Sequence, residues 1–304
     1  ALVGAVAGAA VGALMLGPVG AAAGAAAGAI AGAMLLSIPT GSITGPCFPT
    51  VLIGGLPSAR VLDLHYCFVH FWTPNTIITG AATVIIGGLP AARIGEKTFC
   101  AAEVSTGEPT VLIGGPPVTV PINIKGDMAF VANVQSAMGT LYGTRTGQVI
   151  INGIAASGNT VTIVPTADAN GYCGADDYAG SQVPGTGSSS VVSWNPTYSS
   201  PTDPAQTPAI VLGHEFVHAY HNATGTHDPG PHDSYPGQTG SSNRGEERAT
   251  VGTGGTSVVA PDGTVQGVPD HSADVPTENS LRDDLGVPRR GSYYPSNWPG
   301  GPPW

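Results

Sequence analysis

One segment of roughly 30 residues occurs three times in this chain, and that repetition limits the fold more than any other feature. "PTVLIGGLPSARVLD" begins at Pro49, "ATVIIGGLPAARIGE" at Ala82 and "PTVLIGGPPVTV" at Pro109. Each copy reads as a short apolar strand, a Gly-Gly turn and a second strand-like piece. A unit so short cannot bury an apolar face alone, so the copies must pack on one another. Cys67 and Cys100 each follow their repeat's arginine, Arg60 or Arg93, by seven residues, and His70 follows Cys67 by three. Cysteine and histidine from different turns of a small β unit suit a tetrahedral zinc. In a unit with so little core, the metal would supply folding energy.

These repeats, over about Thr44–Val120, resemble the PAAR-repeat family, small cone-shaped proteins at the tip of the type VI secretion spike. The resemblance implies a tip zinc held by Cys67, His70 and Cys100, with Cys47 or His65 as the fourth ligand. It also implies a trimeric VgrG-type spike protein as partner. The pattern departs from the family at Leu62 and Glu96, where a Gly-Asp pair is more usual.

No charged side chain precedes Arg60. Residues 1–38 are almost wholly Ala, Gly, Val, Leu, Ile and Met, and Gly17-Pro18 divides them into two apolar runs. Glycine recurs every fourth residue (Gly4, Gly8, Gly12, then Gly20, Gly24, Gly28, Gly32). In helices this spacing clears a groove along which another helix packs closely, as in membranes. A span needs about 20 apolar residues, which the second run meets and the first narrowly misses. The expectation is a membrane-competent, glycine-zipper helical hairpin over 1–40, shielded by a chaperone before it meets a target membrane. It resembles the N-terminal segments of some PAAR effectors.

Charge is uneven. Of 10 basic and 20 acidic residues, 7 and 16 lie beyond residue 122. Without a basic stripe to neutralise phosphates, nucleic acid is excluded as a partner. The texture also changes near Pro121. "DMAFVANVQSAMGTLYG" (Asp127–Gly143) has helical spacing, with Met128, Val131, Val134, Met138 and Leu141 near one face. "TGQVIINGIAAS" reads as a second helix, and "NTVTIVPT" and "SSVVSWNP" as strands. The Gly/Asp/Ser-rich stretch Ala167–Ser190 between the strands reads as a loop, as does the insert Thr253–His271.

"TPAIVLGHEFVHAYHNA" follows as a helix with Ala209, Leu212, Phe216 and Ala219 available to a core. It carries His-Glu-x-x-His. His214 and His218, four apart, project from one face a turn apart, with Glu215 beside them. Two neutral imidazoles can hold Zn²⁺, which acidifies a water for Glu215 to deprotonate as general base. A third ligand must come from elsewhere. The metzincin pattern needs Gly at 221 and His at 224, where His221 and Thr224 stand. The aspzincin pattern needs Asp at 229, which is Pro229. "GEERATVG" leaves Glu247 or Glu246, the gluzincin solution. Glu247-x-x-Thr250 matches it better. His221, His227 and His232 fall at the rim of the site or in its loop, and Cys173 has no evident role.

Residues 123–294 resemble the M91 family of effector metallopeptidases through "NTVTIVPT", "VVSWNP", "VLGHEFVHAYHNATGT", "EERATVG" and "TENSLRDDLGVPRRGSYY". The resemblance implies His214 and His218 as ligands, Glu215 as base, and Ser190–Trp194 as an edge strand able to pair with an extended substrate. Tyr293 or Tyr294 is a candidate donor to the developing oxyanion. The expected architecture is multidomain: a hairpin over 1–40, a small β-rich PAAR cone over 41–122, and an α+β zincin-like zinc peptidase over 123–304. The expected function is a secreted type VI spike-tip toxin delivered into a target cell, where it cleaves a protein. An immunity protein would accompany an antibacterial version. The alternatives are a structural tip whose C-terminal domain only binds a target, and a hydrolase of cell-wall peptides.

Overall fold

The computed structural model describes residues 41–67, 74–168, 171–198, 200, 203–229, 244–255, 257–259, 265–267 and 269–291. The hairpin expected over 1–40 lies outside them. Among the described residues, no helix is long and apolar enough to cross a membrane. The chain divides into two compact units. One takes residues 1–42 and 66–73, of which Gly41, Ser42, Tyr66 and Cys67 are described. The other takes Ile43–His65 and Pro74–Trp304.

The N-terminal part is β-rich. Strands β1 (Gly41–Gly45), β4 (Leu64–Cys67) and β5 (Pro74–Thr76) form a sheet in the order β1-β4-β5. Two repeats fold as the expected hairpins. β2 (Phe48–Ile53) turns at Gly54-Gly55 into β3 (Leu56–Ser58), and β6 (Thr79–Ile86) turns at Gly87-Gly88 into β7 (Leu89–Ala91). Both hairpins carry the same irregularity of register. The third copy makes no hairpin of its own. Pro116-Pro117 removes two N–H donors after its Gly-Gly, and the chain continues as β8 (Pro117–Thr119), antiparallel to β6.

The arginines explain how the copies stack. Arg60 donates to the carbonyls of Ile86 and Gly87 in the second repeat's turn, at 3.4 and 3.3 Å. Arg93 does the same to Gly114 and Gly115 of the third copy, at 3.4 and 2.8 Å. Each arginine thus satisfies the turn of the next repeat. Glu96 serves as Arg93's acid partner at 2.6 Å. Leu62 occupies the left-handed conformation (φ 71°) that Gly95 (φ 90°) takes in the second repeat, a costly state for a branched side chain.

Beyond the repeats the fold is mixed α/β. A four-stranded sheet runs β11-β12-β10-β9. β9 (Ile122–Ile124), β10 (Val161–Pro165) and β12 (Ser190–Trp194) are parallel, and β11 (Tyr172–Ala175) is antiparallel at the edge. Parallel neighbours need a long crossover. Helices α1 (Met128–Tyr142) and α2 (Arg145–Ser157) supply it between β9 and β10. The Asp127 carboxylate accepts the Phe130 N–H to cap α1, and the Thr144 hydroxyl accepts the Gly147 N–H to cap α2. Val131, Val134, Met138 and Leu141 of α1 are buried as expected; Met128 is exposed, and Phe130 takes its place in the core. The boundary expected between 122 and 123 falls inside β9, whose three residues are all buried.

Two expectations need correction. Ser190–Trp194 is an interior strand, flanked by β10 and β11. The edge is β11, which lies within the stretch read as a loop. Its Tyr-Cys-Gly-Ala sequence lacks the apolar alternation that marks a strand, because its ladder is made by backbone alone. The Thr253–His271 insert holds an antiparallel hairpin of β13 (Ser257–Val259) and β14 (Val265–Gly267).

Helix α3 (Pro208–Thr224) carries His-Glu-x-x-His. Thr207 caps its start, Pro208 opens it and Gly225, at φ 75°, ends it. It packs against α1, α2, β11 and β12, and against α4 (Arg244–Val251) and α5 (Glu278–Asp284). This explains why Ile210–Ala219 is buried without a break. A helix enclosed on every side places polar side chains in the interior, where each needs a partner.

Candidate metal centre

The two histidines of α3 are buried, and carboxylates meet them from two other helices. His214 Nδ1 lies 2.9 Å from Glu278 Oε2 of α5, and His218 Nδ1 lies 3.0 Å from Glu246 Oε1 of α4. An ionised carboxylate can only accept, so each Nδ1 carries the proton and donates it. That fixes both rings with Nε2 facing inward. The two Nε2 atoms are 3.2 Å apart, and Glu247 Oε2 sits 3.2 Å from one and 3.3 Å from the other. Donors bonded to one tetrahedral zinc at about 2.0–2.1 Å stand about 3.3–3.4 Å apart. The three atoms therefore already have the spacing that a shared zinc requires. Among the described residues, His214, His218 and Glu247 are the only group of three or more such side chains close enough to hold an ion.

The electrostatics agree. Burial opposes charge on His214, but its hydrogen bonds to Glu247 and Glu278 outweigh this and push it up to about 9. His218 is likewise raised, with Glu247 and Glu246 overcoming burial. Three lone pairs aimed at one point require positive charge between them, which a proton or a metal cation can supply.

Glu246 and Glu247 are neighbours with different tasks. Glu246 is fully buried. Its Oε1 accepts from His218, from His221 Nδ1 at 2.7 Å and from Thr250 at 3.2 Å; its Oε2 accepts the Asp228 N–H at 2.9 Å. Glu278, also fully buried, accepts from Arg282 Nε at 2.7 Å and Arg290 at 2.9 Å as well as from His214. Arg282 continues to Asp203 at 2.6 Å. Sequence reading missed Glu278. Its signal was the Glu-x-x-x-Arg spacing in "TENSLRDD", which pairs acid and base one helical turn apart.

Glu215 is buried on the same helix, and loss of solvent raises its carboxyl above the ordinary range. Gly171, next to the edge strand, lies against it. A Cβ there would stand 2.6 Å from Glu215 Cγ and 2.7 Å from Oε1. Gly171→Ala is expected to keep the fold, because a side-chain tip can yield, but to displace the carboxylate. Activity should fall by about 10²-fold while metal content stays constant. Unchanged turnover at equal metal loading would show that Gly171 does not set the position of Glu215.

The remaining expected residues are placed as follows. His221, on the last turn of α3, and His227, in the loop that follows, both lie beside Glu246; among the described residues, both ring nitrogens of His227 are buried without a hydrogen-bond partner. His232, Tyr293 and Tyr294 lie outside the described residues, as does His70. Cys173 is on β11, its thiol pushed up to about 12 by burial, and it accepts from Asn222 at 3.6 Å. In the repeats, Asn75 joins two expected ligand positions. Its Nδ2 is 3.5 Å from His65 Nδ1, and its Oδ1 accepts the Cys100 N–H at 3.4 Å. The Cys47 N–H donates to Asp63 at 2.8 Å, and burial pushes the Cys47 thiol up to about 11.

Comparison with known families agrees with both parts. A family model for the PAAR motif matches residues 38–106. A model for peptidase family M91, described as effector protein, matches residues 119–293. No curated protein matches the chain. The M91 match spans more than half of the sequence and contains His214, His218, Glu247 and Glu278, so this chain belongs to the M91 peptidase family of effector proteins and carries a PAAR motif ahead of that domain.

Proposed function

We propose that this protein is a type VI spike-tip effector whose C-terminal part is a zinc-dependent peptidase acting on a protein of the target cell. The observation that carries this reading is the convergence of His214 Nε2, His218 Nε2 and Glu247 Oε2 at tetrahedral spacing beside the buried carboxylate of Glu215. His214, His218 and Glu247 are the metal ligands, and Glu246 and Glu278 orient the two histidines. The antiparallel edge strand next to the His-Glu-x-x-His helix supports a zincin-like reading of the fold.

A zinc ion at this site would supply a Lewis acid for the peptide carbonyl and acidify the attacking water. The protein's own residues do the rest. The Glu215 carboxylate takes a proton from the water as its oxygen bonds to the carbonyl carbon. The same carboxyl then gives that proton to the leaving amide nitrogen as the C–N bond breaks. Burial raises the Glu215 pKa, which suits a group that must both accept and return a proton. The outer edge of β11 offers backbone groups to an extended peptide. Tyr293 or Tyr294 serves as oxyanion donor.

The PAAR part supports docking on a VgrG-type trimer. Leu52, Ile85 and Leu112 hold the same position in the three copies and are exposed, as is Leu56; exposed apolar side chains repeated in this way suit an interaction surface. A second zinc is assigned to the tip through Cys67, His70 and Cys100, completed by Cys47 or His65. Residues 1–40 form the membrane-active hairpin, with a chaperone before delivery and an immunity protein where the target is bacterial.

Metal counting tests the reading. The full chain should hold two zinc ions. His214→Ala should remove one and abolish hydrolysis. The Cys67→Ser/Cys100→Ser double variant should remove the other and leave hydrolysis intact. Hydrolysis that survives His214→Ala would overturn the proposal.

A further inference from the structure

The two complete PAAR repeats have equivalent residues but different environments. In the second repeat, Arg93 Nε and Nη2 both reach Glu96 Oε1 at 2.6 Å. In the first, the nearest approach of the Arg60 guanidinium to Asp63 is 3.9 Å. Gln135 of helix α1 stands in that gap. Its Oε1 accepts from Arg60 Nη2 at 2.7 Å, and its Nε2 donates to Asp63 Oδ1 and to the Leu62 carbonyl, both at 2.9 Å. All four residues are buried. The arginine–acid pair that is closed in the second repeat is thus opened in the first by a side chain from the M91 part.

Apolar packing shows the same contrast. Leu56 and Leu89 both follow a Gly-Gly turn. Leu56 is 71% exposed and Leu89 is 0% exposed. Leu89 lies in the turn that α1 covers. The two backbones approach so closely there that a Cβ on Gly88 would lie 2.8 Å from Gly139 Cα, and one on Gly139 would lie 3.2 Å from the Gly87 carbonyl oxygen. A side chain at Gly88 would clash with the helix backbone, and one at Gly139 would press on the turn. Leu62, Leu64 and Leu89 of the repeats share one apolar cluster with Val134 and Met138 of α1 and with Leu212 of the metal-bearing helix. The connection between the parts is also bonded in place. Val120 N donates to the Ile78 carbonyl at 2.7 Å, and the Thr76 hydroxyl donates to the Ile122 carbonyl at 2.5 Å.

We infer that helix α1 is a docking element for the first two PAAR repeats, and that through Gln135 and Gly139 it joins tip and peptidase into one cooperative folding unit. The peptidase is carried as part of the tip, not as cargo on a tether. Buried polar groups that satisfy one another across two parts make separation costly, because parting breaks the bonds of Gln135 to Arg60, Asp63 and the Leu62 carbonyl together. Since α1 also packs on the metal-bearing helix, loosening the tip loosens the metal centre.

Native-state hydrogen exchange on the full chain tests this. In the wild type, the slowest amides of β6 in the tip and of β10 and α3 in the peptidase should exchange with the same opening constant. In Gln135→Leu, which keeps bulk but removes the polar bridge, protection in all three should fall together, by tenfold or more. A loss confined to β6, β7 and α1, with β10 and α3 unchanged, would overturn the inference. Should Gln135→Leu fail to fold, the wild type alone decides. Distinct opening constants for β6 and β10, or protease cleavage within 117–127 that releases a stable C-terminal fragment, would mean two tethered modules. The outcome does not depend on whether the metal centre hydrolyses peptides.

Discussion

Glu215→Gln is expected to lower peptide hydrolysis by roughly 10²–10⁴-fold, the usual worth of a positioned general base, with the fold and the metal content retained. Glutamine has the same shape, so the contact with Gly171 survives, but it cannot take a proton from water. His214, His218 and Glu247 are untouched, so zinc content should match the wild type. The comparison is therefore clean: turnover falls at constant metal loading. A variant that hydrolyses peptide at the wild-type rate would sink the assigned mechanism. A variant that loses both activity and zinc would place Glu215 among the ligands instead.

Glu278→Gln is expected to weaken zinc binding by about 10–100-fold, the typical cost of removing an outer-shell partner of a ligating histidine. It should also destabilise the fold by about 3 kcal/mol. Two causes act together. The His214 Nδ1–H loses a charged acceptor. Arg282, 1% exposed, and Arg290 lose the carboxylate that lies between them. Chelator competition measures the first effect and denaturant unfolding the second. Glu246→Gln separates them. Glu246 has hydrogen bonds from two histidines, Thr250 and a backbone N–H, whereas Glu278 is bonded by two arginines. It should weaken zinc binding with a smaller loss of stability. If Glu278→Gln binds zinc as the wild type does, Glu278 has only a structural role.

Much of the site was legible because its chemistry lies within one helix. His214 and His218, four apart, must share a face whatever surrounds them. Glu247 was a choice between neighbours. Sequence offered two adjacent carboxylates and an analogy, whereas the direction of each depends on how α4 lies across α3. The structure points Glu247 at both Nε2 atoms and turns Glu246 to the opposite side of the His218 ring. The contact of Glu278 with His214 was not legible, although its pairing with Arg282 was. Glu278 sits 64 residues from His214, and nothing in a single sequence couples positions so far apart. The edge strand failed for another reason. Val191 and Val192 look like a strand wherever it sits in a sheet, while Tyr172–Ala175 is held by backbone pairing that residue types hardly encode.

By itself the sequence determined the repeats, their Gly-Gly turns, the helical phase of α1 and the motif on α3. All are local, set by spacing and by the conformational limits of glycine and proline. Only the tertiary structure decided which carboxylate faces the two Nε2 atoms, which strand borders the His-Glu-x-x-His helix, and that Gln135 stands between the first repeat's arginine and acid. These depend on contacts between residues distant in the chain. Such contacts are fixed by packing and by the need to satisfy every buried polar group, and a pattern along one chain does not record which group will satisfy which.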